Sequence, residues 1–133
     1  MKLSVLDLVP VIEGGTVSRA LADAALLAQS AEAAGYHRYW VAEHHGMTGI
    51  AGGATSVVLA HVGDATRTIR IGAGGIMLPN HNPLVIAEQA VLMYRLMESH
   101  YDIHKRLSIG QDLTYRILQS PSIHDIPIIL RPL

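Results

Sequence analysis

Residues 37–45 read HRYWVAEHH, a run of aromatic and branched side chains that passes straight into one carboxylate and two imidazoles. Aromatic and β-branched residues suit the pleated, half-buried surface of a sheet, so residues 37–42 are read as a strand with polar groups at its end. Upstream, residues 17–34 are strong helix formers with Leu21, Ala24, Ala28 and Ala31 at helical spacing. Thr16 suits the N-cap of that helix, and Gly35 stands where a glycine closes one. Before it, residues 3–9 form a short apolar run ended by Pro10 and read as a buried strand. Beyond a loop carrying Gly46, Gly49, Gly52 and Gly53, residues 55–65 read as a second helix and residues 68–77, TIRIGAGGIM, as a third strand. Asn82 with Pro83 opens a third helix that runs to about residue 97.

The strand starts near 3, 37 and 69 are 34 and 32 residues apart, and each interval holds one strand and one helix. That pattern implies parallel strands joined by crossover helices. An eight-fold barrel of about 250 residues has about 31 per unit, so the period fits, although doubly wound sheets share it. The expected fold is therefore α/β, one domain over residues 1–133 built of parallel βα units, and the period alone does not choose between a barrel and a doubly wound sheet. After residue 98 the pattern fades. Residues 99–110, SHYDIHKRLSIG, have no clear period. Residues 111–119 read as a short helix, and 126–130 as an edge strand because Pro127 cannot pair on both sides.

Charged residues make up 16% of the chain, against about 25% in average domains. With ten basic and eleven acidic side chains the net charge is −1, which argues against a nucleic-acid partner. The absence of cysteine excludes disulfides and thiolate metal sites. No apolar run reaches the roughly 18 residues of a membrane span, and residues 1–15 are too briefly apolar for a secretion signal. A cytoplasmic location is expected. Low charge suits buried parallel strands, and also a subunit that hides surface in a homo-oligomer.

In parallel α/β folds ligands bind beyond the carboxyl ends of the strands, which draws attention to Glu43-His44-His45. Neighbouring side chains on a strand point to opposite faces, so His44 and His45 do not both enter one pocket where the strand stays regular. His44 is the candidate proton donor or acceptor, its alternative being a structural histidine. A zinc reading of residues 43–45 needs a third or fourth convergent ligand that the sequence does not supply, and no metal is expected. Gly72, Gly74 and Gly75 do not make a dinucleotide fingerprint, because Met77 replaces the third glycine and Pro79 stands where a helix should open. They mark either a strand end lying beneath a flat ligand or a packing bulge. Asn80, His81 and Asn82 place polar groups at the third strand's end, and Asp7 at the first strand's end is either a site residue or a partner for a backbone amide. Met93 and Met97 are read as core.

LSVLDLVPV, AQSAEAAGYHRYWVAEHH and IRIGAGGIMLPNHNPLVIAEQ, with the helix between them, resemble the luciferase-like flavin monooxygenase family over about residues 3–90. The resemblance implies the first three units of that family's eight-fold barrel, so that the chain amounts to about half of a TIM-type (β/α)8 barrel with an atypical segment after residue 98. It implies a reduced flavin, FMN or in some relatives a deazaflavin, at the carboxyl-end face, activating oxygen for transfer to a small organic substrate such as an aldehyde or ketone. His44 falls on the family's catalytic histidine. Gly74 and Gly75 fall where the family's third strand bulges under the flavin ring, often with a cis peptide, and Asn80 and His81 match the loop beside the ring. No metal is implied. The family continues with a strand of the type GRIDLGLGR, where this chain has SHYDIHKRLSIG, and barrel phosphate sites come from later strands. Three expectations follow: a shortened oxygenase that completes its site by self-association, a truncated non-catalytic remnant, or a half-barrel binding module.

Overall fold

A computed structural model describes residues 1–98. In chain order these form β1 (Ser4–Asp7), α1 (Val17–Ala33), β2 (Arg38–Ala42), α2 (Thr55–Ala65), β3 (Arg70–Gly75), a 3-10 turn (Leu78–Asn80) and α3 (Pro83–Glu98). The strands lie in the order β1-β2-β3 and both pairs are parallel, so each connection must cross over the sheet, and α1 and α2 do so. The segments 99–110, 111–119 and 126–130 read above lie outside the described residues.

The helix boundaries follow from local chemistry. Thr16 Oγ1 accepts from the Arg19 backbone N–H at 3.2 Å, satisfying one of the four donors that a helix start leaves unpaired. At the other end Gly35 takes φ +75°, and the N–H groups of Gly35 and Tyr36 donate back to Glu32 and Ala31 at 3.0 and 2.9 Å. This double closure needs the left-handed conformation that glycine adopts freely. Asn82 Oδ1 accepts from the Leu84 N–H at 2.9 Å and starts α3, with Pro83 in its first position.

One face of the sheet is the core. Tyr39, Val41 and Ile71 are fully buried there against Ala20, Ala24, Ala28 and Ala31 of α1, Val58, Leu59 and Val62 of α2, and Met93 of α3. The alanine stripe recurs at four, four and three residues, one helical face, and its small side chains let α1 lie close to the strands. The opposite face has no helix on it among the described residues. Leu6 is 59% exposed, and the Arg38 guanidinium stands 5.7 Å over the half-buried Trp40 ring.

Two strands are shorter than their sequence suggests. β1 stops at Asp7 instead of residue 9, because Asp7 Oδ1 accepts the Val9 N–H at 2.8 Å and Val9 turns to φ +56°. β3 spans Arg70–Gly75 instead of 68–77, and a carboxylate captures the backbone at each end. Glu32 takes the N–H groups of Arg67, Thr68 and Ile69, and Glu43 takes that of Met77. Donors held by side chains are lost to the ladder. Within β3 the register slips, with Val41 facing Ala73 and Ala42 facing Gly75, so Gly74 is a bulge. The bulge that the resemblance implied is present as this slip in register, and every peptide bond among the described residues is trans.

Candidate functional site

The carboxyl ends of the three strands lie side by side in the parallel sheet, and each carries polar groups. At the end of β1, Asp7 is buried and its carboxylate accepts from the Val9 N–H and from the Tyr39 hydroxyl. Tyr39 Oη also lies 3.3 Å from the Ala24 carbonyl. Burial, and then the Asp7 carboxylate, push the Tyr39 phenol far above its ordinary value, so it stays a hydroxyl. Of the two roles open to Asp7, the structure gives it the backbone amide.

Past the end of β2, Glu43 keeps the alternation of Tyr39 and Val41 and turns toward the helix-covered side, where its side chain is only 2% exposed. Its Oε1 meets His45 Nε2 at 2.5 Å and His81 Nε2 at 2.6 Å, and its Oε2 accepts from the Met77 N–H at 3.1 Å. An ionised carboxylate only accepts, so each imidazole donates its Nε2 proton. Burial alone would raise the Glu43 carboxyl; the His81 and His45 bonds and the Met77 amide outweigh it and hold the group below its ordinary value. Glu43 is therefore an anion shared by two rings whose centroids are 5.9 Å apart.

His44 joins neither histidine. It is half-buried, and its Nδ1 is sealed from solvent with no hydrogen-bond partner among the described residues. Gly74 is exposed at the bulge, and a Cβ there would meet the tip of Leu6 at 2.6 Å; a Cβ on Gly75 would meet nothing within 4 Å. Asn80 is exposed at the end of the 3-10 turn, with its N–H on the Met77 carbonyl. Thus the structure brings His81 to Glu43 and His45, while His44, Asn80 and the glycines stay outside that cluster. The third convergent side chain is His81, which the sequence marks as a polar group at the third strand's end but does not connect to Glu43 and His45.

Beside Glu43 and His81 a cavity of about 150 Å³ opens between α2 and α3. Leu59, Ile76, Ile86 and Met93 line it, with Thr55 at the start of α2. Thr55 Oγ1 is buried there without a partner among the described residues.

Successive parallel βα units with polar groups gathered at the carboxyl ends of the strands make this an α/β protein of the kind that binds ligands on that face. The model for luciferase-like monooxygenases matches residues 1–98, and the chain belongs to that family. It is 48% identical over 109 residues to a luciferase-like monooxygenase of Escherichia coli K12, a match covering 82% of this chain and 32% of the relative. It is 48% identical over 118 residues to the uncharacterized protein YvbT of Bacillus subtilis, covering 88% and 35%. The crystal structure of apo-MsnO8 superposes with a TM-score of 0.69 at 38% identity, covering 76% of this chain and 30% of that one. The oxygenating constituent of 3,6-diketocamphane monooxygenase from Pseudomonas putida, a type II Baeyer-Villiger monooxygenase in complex with FMN, shares the fold at 14% identity and a TM-score of 0.65, covering 89% and 36%. The chain spans about a third of the length of the relatives it matches. Among the described residues no helix is long and apolar enough to cross a membrane.

Proposed function

We propose that this chain forms the flavin-facing part of a flavin-dependent monooxygenase acting on a small organic substrate, with FMN as the flavin. The observation that carries this reading is the pairing of a bare glycine surface with an unpartnered imidazole atom at adjacent strand ends. Gly75 offers open space where a side chain would stand, and His44 Nδ1 is a buried polar atom in want of a partner. A flat heteroaromatic ring with polar edges fits that combination, since it needs a surface free of side chains and supplies the missing hydrogen-bond partner. Family membership, and the FMN carried by a protein of the same fold, support the choice of flavin.

Bound reduced flavin would supply the electrons that activate oxygen. The chain's own residues supply the surroundings. Gly75 would leave room for the ring, with Gly74 beside it under the tip of Leu6, His44 would give or take a proton at its ring nitrogen, and Asn80 and His81 would border the ring from the following loop. Self-association into a homo-oligomer fits the sheet face that the described residues leave uncovered, where Leu6 is exposed and Trp40 half-buried.

The visible spectrum of the purified protein, measured together with light scattering and with quenching of added FMN, tests this reading. Bound or quenched flavin in a particle larger than one chain is expected. A colourless protein that leaves FMN fluorescence unchanged overturns it. His44→Ala is expected to abolish oxygenase turnover while leaving the fold intact.

A further inference from the structure

We propose that Glu43, His45 and His81 form a binding site for a zinc-type divalent cation. Their ligand atoms, one carboxylate oxygen and two imidazole nitrogens, all lie within 4.8 Å of one another. Two histidines and one carboxylate are a frequent protein ligand set for Zn²⁺ where a fourth position stays open. The three come from two successive loops, His45 and Glu43 after β2 and His81 after the turn that follows β3, so the fold builds the convergence and the sequence run alone does not.

The surroundings suit an ion. Glu43 is oriented by the Met77 N–H on its other oxygen, the kind of outer contact that fixes a ligating carboxylate. Tetrahedral ligands about 2.0–2.1 Å from zinc stand about 3.3 Å apart. The present O···N distances of 2.5 and 2.6 Å must therefore widen by less than 1 Å as the cation takes the place of the two Nε2 protons, each ring then carrying its proton on Nδ1. His45, with its side chain 40% exposed, is free to make that movement, and His81 at 27% has some room. The cavity beside Glu43 and His81 leaves space for a water as fourth ligand. The site shares only His81 with the flavin reading; Glu43 and His45 have no part in it, so FMN quenching that is unchanged in His45→Gln separates the two.

The test uses the full chain, freed of metal with a chelator and then titrated with Zn²⁺ against a chromophoric competitor, with Co²⁺ absorption as an independent probe. One equivalent is expected to bind, with an intense visible band for the Co²⁺ form typical of a four-coordinate site. Melting temperature is expected to rise with Zn²⁺ concentration, as for any ligand that binds only the folded chain. His45→Gln, His81→Ala and Glu43→Gln are each expected to weaken Zn²⁺ binding at least tenfold, whereas His61→Ala, remote on α2, leaves it unchanged. His45→Gln alters the most exposed of the three residues, so circular dichroism that matches the parent alongside a lost zinc response isolates the metal effect. Absence of stoichiometric binding overturns the proposal. So does binding that survives both His45→Gln and His81→Ala, and in either case the cluster is a hydrogen-bonded latch only.

Discussion

Glu43 Oε1 stands 2.5 Å from His45 Nε2 and 2.6 Å from His81 Nε2, so a single oxygen joins the loop after β2 to the loop after β3. With Met77 held on the other oxygen, one buried side chain sets where β3 ends and where the turn before α3 begins. The polar rim of this sheet is thereby a fixed structure and not two independent loops.

Glu43→Ala leaves two imidazoles and one amide without their acceptor and enlarges the neighbouring cavity. Each lost bond to a charged acceptor is worth about 1.5–3 kcal/mol, less for the half-exposed His45, which water can re-solvate. The expected loss is about 2–4 kcal/mol, read as a fall in the urea midpoint at unchanged slope. Glu43→Gln recovers only part of it, because a neutral amide has one accepting oxygen to offer three donors.

Tyr39→Phe removes the hydroxyl from Asp7 and Ala24 while keeping the ring in the core. The expected loss is about 1.5–3 kcal/mol, the worth of a buried bond to a charged group. Alkali gives a second readout. A phenol raised in the folded state stabilises fully below its unfolded value of 10.0 and ceases to do so as the pH climbs beyond it. Spectrophotometric titration is therefore expected to show one tyrosine ionising only as the chain unfolds.

At the acid end the informative group is Glu32, whose carboxylate accepts from the Arg67, Thr68 and Ile69 amides and the Thr68 hydroxyl. Burial would raise this carboxyl, but the backbone donors outweigh it and lower it below 4.5. A lowered folded value means the stabilisation is present above the unfolded value and disappears as the pH falls through the folded one. Unfolding midpoints measured from about pH 6 to about pH 3 are expected to fall less steeply for Glu32→Gln than for the parent. Equal slopes would show that Glu32 does not tie α1 to the start of β3.

The helices were legible because their signals are local. Thr16, Gly35, Asn82 and Pro83 mark ends by chemistry confined to a few neighbouring residues, and the alanine stripe of α1 shows its buried face directly. Strand ends were not, because distant carboxylates set them. Nothing in TIRIGAGGIM says that Glu32, 36 residues upstream of Thr68, takes its first amides, or that Glu43 takes the Met77 amide. The same holds for the site. Position at a strand's end singled out residues 43–45, and alternation separated His44 from His45, but the meeting of Glu43 with His81 depends on two crossovers placing their loops side by side.

Glycines at the rim separate packing from binding. A Cβ on Gly52 would lie 2.7 Å from the Ala42 carbonyl and 3.2 Å from that of Leu8, both backbone atoms held by the sheet ends, so neither can move away cheaply. Gly52→Ala is expected to cost about 1–3 kcal/mol through overpacking, visible in chemical denaturation. Gly75→Val is expected to behave in the opposite way, since its Cβ meets nothing within 4 Å and branched residues suit a strand. Its stability should stay within about 0.5 kcal/mol of the parent, as for substitutions away from packed features. If the open space over Gly75 receives the flavin ring, the same change fills it, and FMN quenching should then require about tenfold more flavin, about 1.4 kcal/mol of lost binding. Unchanged FMN affinity in a well-folded Gly75→Val protein would place the ring elsewhere and leave the glycines with packing alone.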